Sequence, residues 1–340
     1  MKRISQREIA NKLGVNVSTV SRALRGLEGV STGLRKTILA LAKENGYRPN
    51  PFAVSLRYDT TRTIGVVVPD VSFNHYAHIV KHIEAQARKA GYMCIITDSG
   101  DDYENEKNCI DLLVNMHVEG IIICPTQNTV DFSHILNLKK TRVPVVLFDR
   151  DAEIDISSVV INDAESACQS TNYLIDSGAR CVGFIGGPNK MNQTVDRKHG
   201  YLESLRQHGM PIRRELVKCS HISYNIGMAA TYELLDQEER PDAIIASHGL
   251  LAIAAMKAVE SRGLRIPEDI AIVGYMSDWI AEVTTPRLTY VRQNQKEMGT
   301  KAFRLLKDQL DGDNCVHHII VKALLEVRES TQLGKRDFSI

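Results

Sequence analysis

The sequence predicts a small N-terminal all-α head followed by a larger α/β body made of two lobes. Three short amphipathic segments occupy the first 47 residues. From residue 62 onward, apolar β-branched runs alternate with segments of helix length, and this alternation occurs in two successive series. With 340 residues, the chain is too long for one ordinary core, so two or three domains are expected.

Charge separates the head from the body. Residues 1–60 carry 11 basic and four acidic side chains, a net charge of +7, whereas the whole chain carries +1. A basic head on an acidic body indicates a polyanionic partner for the head alone. No apolar run of roughly 20 residues and no cleavable signal peptide are visible. The seven cysteines are scattered without a C-x-x-C pair. We therefore expect a cytoplasmic protein without disulfides, a metal or a cofactor.

The first two segments of the head have the pattern of a helix-turn-helix. Ser5 and Glu8 have the spacing of a capping box that starts a helix near residue 6, and Gly14 ends it. Asn16 is a candidate cap for a second helix through Leu24. Two short helices joined by a tight turn place the second helix in the DNA major groove.

Side chains at the start of the second helix are the candidates for reading bases. Arg22 could bind guanine with two hydrogen bonds, and Val17 could meet a thymine methyl group. Thr19 and Ser21 suit phosphate contacts. The predicted DNA-contacting residues of the head and the segment after it are Ser5, Val17, Ser18, Thr19, Ser21, Arg22, Asn50, Ala53 and Leu56.

A third helix, opened by Val30-Ser31, ends at Asn45-Gly46, and a hinge follows. Pro49 and Pro51 favour extended backbone. The next six residues, 52–57, amount to about one and a half helical turns, which is marginal in isolation. We expect this hinge helix to form when it is bound. Its Leu56 either wedges between base steps in the minor groove or packs on the next domain. The predicted bounds are 1–47 for the head, 48–61 for the hinge and 62–340 for the body.

The body has the pattern of two parallel doubly wound sheets. The predicted strands of the first series are 64–68, 93–97, 120–124 and 143–148, and those of the second are 158–161, 182–185, 243–246 and 270–273. Ligands of such sheets bind beyond the carboxyl ends of the strands. Two facing lobes therefore predict a cleft that closes by hinge motion.

Polar and aromatic residues that follow the predicted strands are the candidates for a ligand site. Sugar-like ligands need charged and amide groups for their hydroxyls and aromatic walls for their apolar faces. Arg197 is expected to open a helix, and Trp279 either lines the cleft or packs at the edge of a lobe. The predicted effector-binding residues are Phe73, Asn74, Tyr76, Asp149, Arg150, Arg197, His248, Tyr275, Asp278 and Trp279.

The chain resembles the LacI/GalR family of bacterial transcription regulators. The resemblance is carried by I-A-N-K-L-G-V-N-V-S-T-V-S-R-A-L (9–24), V-S-T-G-L-R (30–35), G-Y-R-P-N-P-F-A-V-S-L-R (46–57), T-I-G-V-V-V-P-D (63–70), V-V-L-F-D-R (145–150), V-G-F-I-G-G-P (182–188), D-R-K-H-G-Y (196–201), I-P-E-D-I-A-I-V-G-Y (266–275) and L-E-V-R-E-S-T (325–331). It implies a periplasmic-binding-protein-like (type I) body in which the chain crosses between the lobes three times. The lobes would comprise about 62–160 with 292–320, and 161–291 with 321–340. It also implies a homodimer on a two-fold symmetric operator, with Leu56 in the minor groove.

The ligand site departs from the family pattern. Members usually have Asn-Asp where this chain has His248-Gly249, and Asp where Met276 stands. The loss of two acidic positions, with Arg150, Arg197 and two histidines nearby, suggests a cationic cleft. A sugar acid or sugar phosphate is therefore one candidate effector, beside a neutral carbohydrate.

The predicted function is sequence-specific DNA binding by a transcriptional regulator, a repressor, under the control of a small carbohydrate or acidic sugar derivative. A solute-binding sensor of the transport type is the alternative, because it shares the two-lobed body. An enzyme is not expected, because G-x-G-x-x-G, G-x-S-x-G and H-E-x-x-H are all missing. His317-His318, beside the polar turn 311–314, is interpreted as a solvated strand start and not as a metal site.

Overall fold

The structure is a computed structural model that describes residues 4–47, 60–276 and 278–332. It divides into two compact units, one reaching Thr61 and the other beginning at Arg62. In the described ranges, no helix combines the length and the apolar character that crossing a membrane requires. The finer domain bounds drawn from the sequence stay a prediction.

The head folds around a small apolar core of three helices. These are α1 (Gln6–Leu13), α2 (Val17–Leu24) and α3 (Thr32–Glu44). Ile9, Val20 and Ile38 are fully buried where the helices meet. The capping box is present, since the Ser5 hydroxyl accepts the Glu8 backbone N–H at 3.2 Å and Glu8 accepts the Ser5 N–H at 2.7 Å.

The body contains two six-stranded sheets. Its strands are β1 (Thr63–Val68), β2 (Met93–Asp98), β3 (Ile121–Ile123), β4 (Val145–Phe148), β5 (Ser157–Ile161), β6 (Val182–Gly186), β7 (Val217–Cys219), β8 (Ala243–Ala246), β9 (Ala271–Met276), β10 (Thr289–Arg292), β11 (His318–Val321) and β12 (Leu324–Glu326). The strand orders are β11-β5-β4-β3-β1-β2 and β12-β10-β9-β8-β6-β7. All neighbours pair in parallel except β10 and β12. We call the lobe around the first sheet the first lobe and the other the second lobe.

Helices pack on these sheets. They are α4 (Asn74–Lys89), α5 (Tyr103–Asn115), α6 (Ser133–Leu136), α7 (Asp163–Asp176), α8 (Asn192–Gln207), α9 (Tyr224–Leu235), α10 (Gly249–Ser261), α11 (Asp278–Val283) and α12 (Gln295–Leu310), with short 3₁₀ turns at Asn137–Thr141, Arg214–Leu216 and Glu329–Thr331. The parallel two-sheet arrangement behind an N-terminal helix-turn-helix confirms the predicted fold class.

The chain passes between the lobes at three places. It leaves β5 of the first lobe for α7, leaves β10 of the second lobe for α12, and leaves β11 for β12. The first and third passages are tied together, because the Ala323 N–H donates to Asn162 Oδ1 at 2.8 Å.

Two element boundaries differ from the sequence-based expectation in ways that matter for the ligand site. Strand β9 continues to Met276, where the parallel pairing with Arg292 of β10 extends the ladder. Tyr275 and Met276 are therefore strand residues and do not follow the strand. Helix α8 begins at Asn192, so Arg197 lies in its second turn and does not open it. The polar first turn of α8 carries no apolar periodicity that would have marked it as helix.

Candidate functional site

Helix α2 exposes the side chains predicted to read DNA along one face. Val17 is 43% exposed, and Ser18 and Arg22 are exposed four residues apart, which places them on the same side of the helix. Thr19 is half-buried beside them. An exposed face with one apolar, one hydroxyl and one guanidinium group is the arrangement that contacts bases in a major groove.

Ser21 is placed differently from the sequence-based expectation. It is only 7% exposed, because positions 20, 21, 23 and 24 share the face of α2 that packs on the head core. The Ser21 hydroxyl is therefore not exposed for a contact with a DNA phosphate. Ser5 serves as the N-cap of α1, as its spacing predicted. Asn50, Ala53 and Leu56 lie outside the described residues.

Side-chain hydrogen bonds from Gln6 and Arg35 hold the head together. The Gln6 side chain donates to the Tyr47 hydroxyl at 2.7 Å, which ties α1 to the end of the described head. Arg35 of α3 donates to the carbonyl oxygens of Gly26 and Leu27 and fixes the loop after α2. These bonds fix how α2 is presented relative to the two helices behind it.

A cavity lies where the carboxyl ends of the strands of both lobes meet. It encloses about 460 Å³ of space between atoms, open solvent at its mouth included. Its walls come from α4 and the end of β4 in the first lobe and from α8, α10 and β9 in the second. The lining residues are Phe73, His75, Tyr76, Asp149, Gln193, Arg197, His248, Gly249, Ile253, Tyr275, Met276, Ile280 and Gln293.

Arg197 is the most completely buried cation of this cavity. Its Nε donates to Asp163 Oδ1 at 2.5 Å, its Nη1 donates to the Ser247 carbonyl oxygen, and its guanidinium lies 3.9 Å from the centre of the Tyr275 ring. Its Nη2 has no hydrogen-bond partner although it is shielded from solvent. Burial raises the pKa of Asp163, and Arg197 opposes that rise. A ligand acceptor in the cavity would complete the set of bonds around Arg197.

Asp149 forms the opposite charged wall. It follows β4 in the left-handed backbone region, with φ of 62°, and His75 Nε2 donates to its Oδ1 at 2.8 Å. Gln295 Nε2 lies 3.4 Å from the other ring nitrogen of His75. Burial alone would raise the pKa of Asp149, but His75, Arg150 and Arg197 outweigh burial and hold it at about 2. Asp149 is therefore a carboxylate, already paired before any ligand binds.

Gln193 and His248 form a third polar group in the cavity. Gln193 Oε1 lies 3.0 Å from His248 Nε2, and Gln193 Nε2 reaches the Asp149 carbonyl oxygen at 3.5 Å. The other ring nitrogen of His248 lies 2.9 Å from the Ser247 hydroxyl. Burial, then the charges of Arg197 and Arg150, lower the pKa of His248 well below its ordinary value. His248 is therefore a neutral hydrogen-bonding group and not a cation.

Some predicted effector-binding residues do not line the cavity. Arg150 is buried away from it and donates from Nη1 to Asp101 Oδ1 at 2.8 Å and to the Pro125 carbonyl oxygen at 3.0 Å. Asn74 begins α4 but is not among the lining residues. Trp279 is 53% exposed, because it stands on the outer side of the short helix α11, whose Ile280 reaches the cavity instead. Asp278 is described only as the first residue of α11.

A buried carboxylate organises the loop that follows β3. Glu106 is fully buried, accepts the Thr126 backbone N–H at 2.6 Å and the Thr129 hydroxyl at 3.0 Å, and lies 2.7 Å from His134 Nε2. These bonds fix the loop between β3 and α6, whose middle residue, Gln127, faces the second lobe.

Comparisons with known proteins agree with this architecture. The family profile described as "Bacterial regulatory proteins, lacI family" matches residues 6–50, and that of the periplasmic binding protein-like domain matches residues 171–331. Catabolite control protein A of Priestia megaterium is 30% identical over 329 residues, which are 96% of this chain and 98% of the relative. The chain belongs to the LacI family. It is a DNA-binding transcriptional regulator with a helix-turn-helix domain.

Two further LacI-family relatives bear on function. The HTH-type transcriptional repressor CytR of Escherichia coli (strain K12) is 29% identical over 311 residues, 91% of either chain. The solved complex of the transcriptional regulator CelR with cellobiose matches with a TM-score of 0.74 and 30% identity, over 96% of this chain and 100% of that one. These relatives are transcriptional regulators.

Two departures from the LacI-family pattern are in contact with each other. A Cβ atom placed on Gly249 would lie 3.0 Å from the Tyr275 carbonyl oxygen and 3.1 Å from the Met276 Cβ atom. A side chain at position 249 would therefore be tightly packed against the end of β9. Gly249 and Met276 form an uncharged, apolar corner of the cavity.

The cationic cleft inferred from the sequence is not what the structure forms. Arg197 is paired with Asp163, and Arg150, which is not among the lining residues, is paired with Asp101. His75 donates a hydrogen bond to Asp149 and His248 is neutral, so each arginine in or near the cavity faces a carboxylate. Gln193, Gln293, Ile253 and Ile280 were missed by sequence reasoning. Gln193 lay in the unrecognised first turn of α8, and the two isoleucines resemble ordinary core residues in the sequence.

Proposed function

We propose that this chain is a repressor whose operator affinity is controlled by a neutral, sugar-like effector bound in the cavity between the two lobes. The observation that carries this proposal is the unpartnered Nη2 atom of Arg197, a buried donor that lines the cavity. A hydroxyl or ring oxygen of a ligand would accept its hydrogen bond. A buried donor left without an acceptor costs about 1–3 kcal/mol, which a ligand can recover.

The neutral character follows from the pairing of the charged groups. An anionic effector would have to compete with Asp163 for Arg197 and would approach the Asp149 carboxylate. The aromatic and aliphatic walls, which include Phe73, Tyr76 and Ile280, fit the apolar face of a sugar ring. The relative CelR was solved in complex with cellobiose, which supports the same ligand class here.

Homodimerisation is part of the proposal, because operators of two-fold symmetry need two heads. The described surface of the first lobe exposes apolar side chains on β2, an edge strand, and at the end of α5. Met93 is 62% and Ile96 45% exposed on β2, and Leu112 and Met116 are exposed in the last turn of α5 and just after it. Exposed apolar edges of this kind are partner surfaces.

The regulatory step would act through the hinge at 48–61. A ligand changes operator affinity only by binding one arrangement of the lobes better than another. We propose that this arrangement decides whether the hinge segment forms a helix and whether Leu56 enters the minor groove. Leu56→Ala should then lower operator affinity and DNA bending while effector affinity stays unchanged. Normal bending by that variant would exclude the wedge.

DNA binding and effector class are tested separately. Operator selection from random DNA, followed by gel shifts of the full chain and of a chain lacking residues 1–58, should give specific binding for the full chain only. Such a regulator would act in the cytoplasm and have no enzymatic role. The absence of specific binding under every effector condition would favour the solute-binding alternative.

The effector class is tested by thermal shift against neutral mono- and disaccharides, sugar acids and sugar phosphates. Neutral sugars should raise the melting temperature of the wild type and leave Arg197→Met unaffected. Stabilisation by acids or phosphates alone would overturn the neutral-effector proposal while leaving the DNA-binding role intact.

A further inference from the structure

Three different metal-ligating side chains converge on the segment just before β11. The ligand atoms of Asp313, Cys315 and His317 all lie within 4.8 Å of one another, and all three side chains are exposed. Among the described residues, no other group of three or more such side chains meets this condition. We propose that Asp313, Cys315 and His317 form a binding site for a zinc-like divalent transition-metal ion.

Local hydrogen bonds explain why the three side chains converge. The three residues stand at every second position of the segment between the turn after α12 and β11. Asp313 Oδ1 accepts the Cys315 backbone N–H at 2.9 Å, and Asp313 Oδ2 lies 2.9 Å from His317 Nε2. These bonds bend the segment so that the carboxylate, thiol and imidazole surround one point.

The distances are close to those of a metal site. Ligand atoms at about 2.0–2.3 Å from a tetrahedral Zn²⁺ lie about 3.5 Å from one another. The three atoms therefore need to approach by little more than about 1 Å, which rotation of exposed side chains supplies.

The donor set selects the kind of ion. One oxygen, one sulfur and one nitrogen form a borderline-to-soft site that suits Zn²⁺ and Co²⁺. Mg²⁺ and Ca²⁺ require oxygen ligands and would not use a thiolate or an imidazole. The mixed set also distinguishes this cluster from a group of surface carboxylates, which would attract any cation weakly.

The backbone on both sides of the cluster is fixed. The Asp313 N–H donates to the Asp308 carbonyl oxygen at 3.0 Å, at the end of α12. The His317 N–H donates at 3.1 Å to the Ser157 hydroxyl, which also accepts the Gln309 side chain at 2.9 Å. The three ligands are thus carried between a helix end and a strand, which limits the entropy lost when an ion is bound.

Space remains for the ligands that a three-coordinate ion still needs. Asp313 and Cys315 line a surface groove with about 990 Å³ of space between atoms, open solvent included. The groove also contains Lys139, whose charge is compensated by Asp155 at 2.6 Å. Water or a small anion could therefore complete the coordination. The sequence alone had suggested a solvated strand start at this point, because it does not show that the three side chains converge.

The test uses the full-length protein and Co²⁺ as a spectroscopic substitute for Zn²⁺. Wild type should bind one equivalent of Co²⁺ with release of the thiol proton and a thiolate-to-cobalt absorption band, and Zn²⁺ should displace the Co²⁺ and abolish that band. Loss of a direct ligand should weaken binding by more than the roughly 10- to 100-fold typical of an outer-shell change. Cys315→Ser and His317→Asn should each produce that loss, and the band should vanish in Cys315→Ser.

Cys168→Ser is the matched control, because it removes a free thiol elsewhere and should leave the band unchanged. Cys315→Ser and His317→Asn change exposed side chains, so their melting temperatures in EDTA should equal that of wild type, and Zn²⁺ should raise only the wild-type and control values. An unchanged cobalt band in Cys315→Ser, or equal competition by Mg²⁺, would overturn the proposal. The melting temperatures in EDTA separate these results from unfolding.

Discussion

The Gln127 side chain in the first lobe accepts the backbone N–H of Ile222 in the second lobe at 2.8 Å. Gln127 Nε2 donates to Asp101 Oδ2 at 2.6 Å and lies 3.3 Å from His221 Nε2. This side chain thus joins the loop after β3 to the loop after β7, outside the ligand cavity. The loop that carries Gln127 is fixed by the buried Glu106, so movement of one lobe is transmitted to the other.

Gln127→Ala should shift the two lobes toward an open arrangement. One neutral hydrogen bond contributes about 0.5–1.5 kcal/mol, so effector affinity should fall by about two- to tenfold. Isothermal titration measures the affinity, and small-angle scattering measures the opening. Gln237→Ala is the control, since Gln237 donates to a carbonyl oxygen within its own helical region. Equal affinity in both variants would show that Gln127 does not hold the lobes together.

Arg197→Ala should abolish effector binding and also destabilise the body. The change leaves Asp163 buried without its partner, and breaking a buried pair costs about 3–5 kcal/mol. Arg206→Ala removes an exposed ion pair with Glu203 on the same helix and should cost less than about 1 kcal/mol. Urea denaturation of the two variants would compare the costs. Similar losses of stability would contradict the assignment of Arg197 to a buried pair.

The contribution of His248 to the free energy of unfolding should fall as the pH drops below the ordinary histidine pKa of about 6.5, whereas Asp163, whose pKa is raised, contributes in the opposite direction. The folded state lowers the pKa of His248, so in this range the unfolded chain binds a proton that the folded chain excludes. The contribution of His248 is complete above pH 6.5, and its loss below that value approaches about 1.4 kcal/mol per pH unit.

His248→Gln should lose this contribution, seen as the difference between wild type and variant in chemical denaturation from pH 8 to pH 5. His208→Gln, which changes an exposed histidine near Asp176, should retain the wild-type slope over the same range. A wild-type slope in the His248 variant would mean that this histidine is not excluded from protonation in the folded protein.

Gly200→Ala should damage the second lobe and its ligand site together. A Cβ atom at position 200 would lie 2.0 Å from the Ala164 carbonyl oxygen of α7, which is backbone and cannot rotate away. We expect a loss of more than about 2 kcal/mol and weaker effector binding, because Arg197 lies one turn away on α8. Gly33→Ala meets no atom within 4 Å and should stabilise α3 by about 0.5–1 kcal/mol. Calorimetry distinguishes the two effects, and an unchanged transition of the second lobe would refute the close approach.

Sequence reasoning predicted the head helices, most of the strands and several of the residues that line the cavity, because periodicity and capping are local. Examples are the capping box at Ser5, which begins α1, and Gly14, at which α1 ends. Sequence reasoning missed β7 and β10, and it placed the strand at 158–161 in the second series, whereas β5 belongs to the first sheet. It did not predict the pairing of Arg197 with Asp163 or of Asp149 with His75. These partners lie 34 and 74 residues apart and meet only because parallel strands deliver them to one edge. The inferred charge of the cavity was wrong for that reason.

Because of the three passages between the lobes, neither lobe is a continuous piece of chain, and this determines the order of events during synthesis. The head, from Ser5 to Tyr47, is contiguous and can fold as soon as it leaves the ribosome. The first sheet is complete only when β11 has been synthesised, because His318 of β11 pairs with Ser158 of β5. The second sheet is complete only when β12 has been synthesised. A chain whose translation stops before residue 318 would contain the complete head but would lack β11 of the first lobe and β12 of the second. Such a fragment would carry the head without the strands that complete either sheet, so the last strands to be made decide whether both lobes are complete.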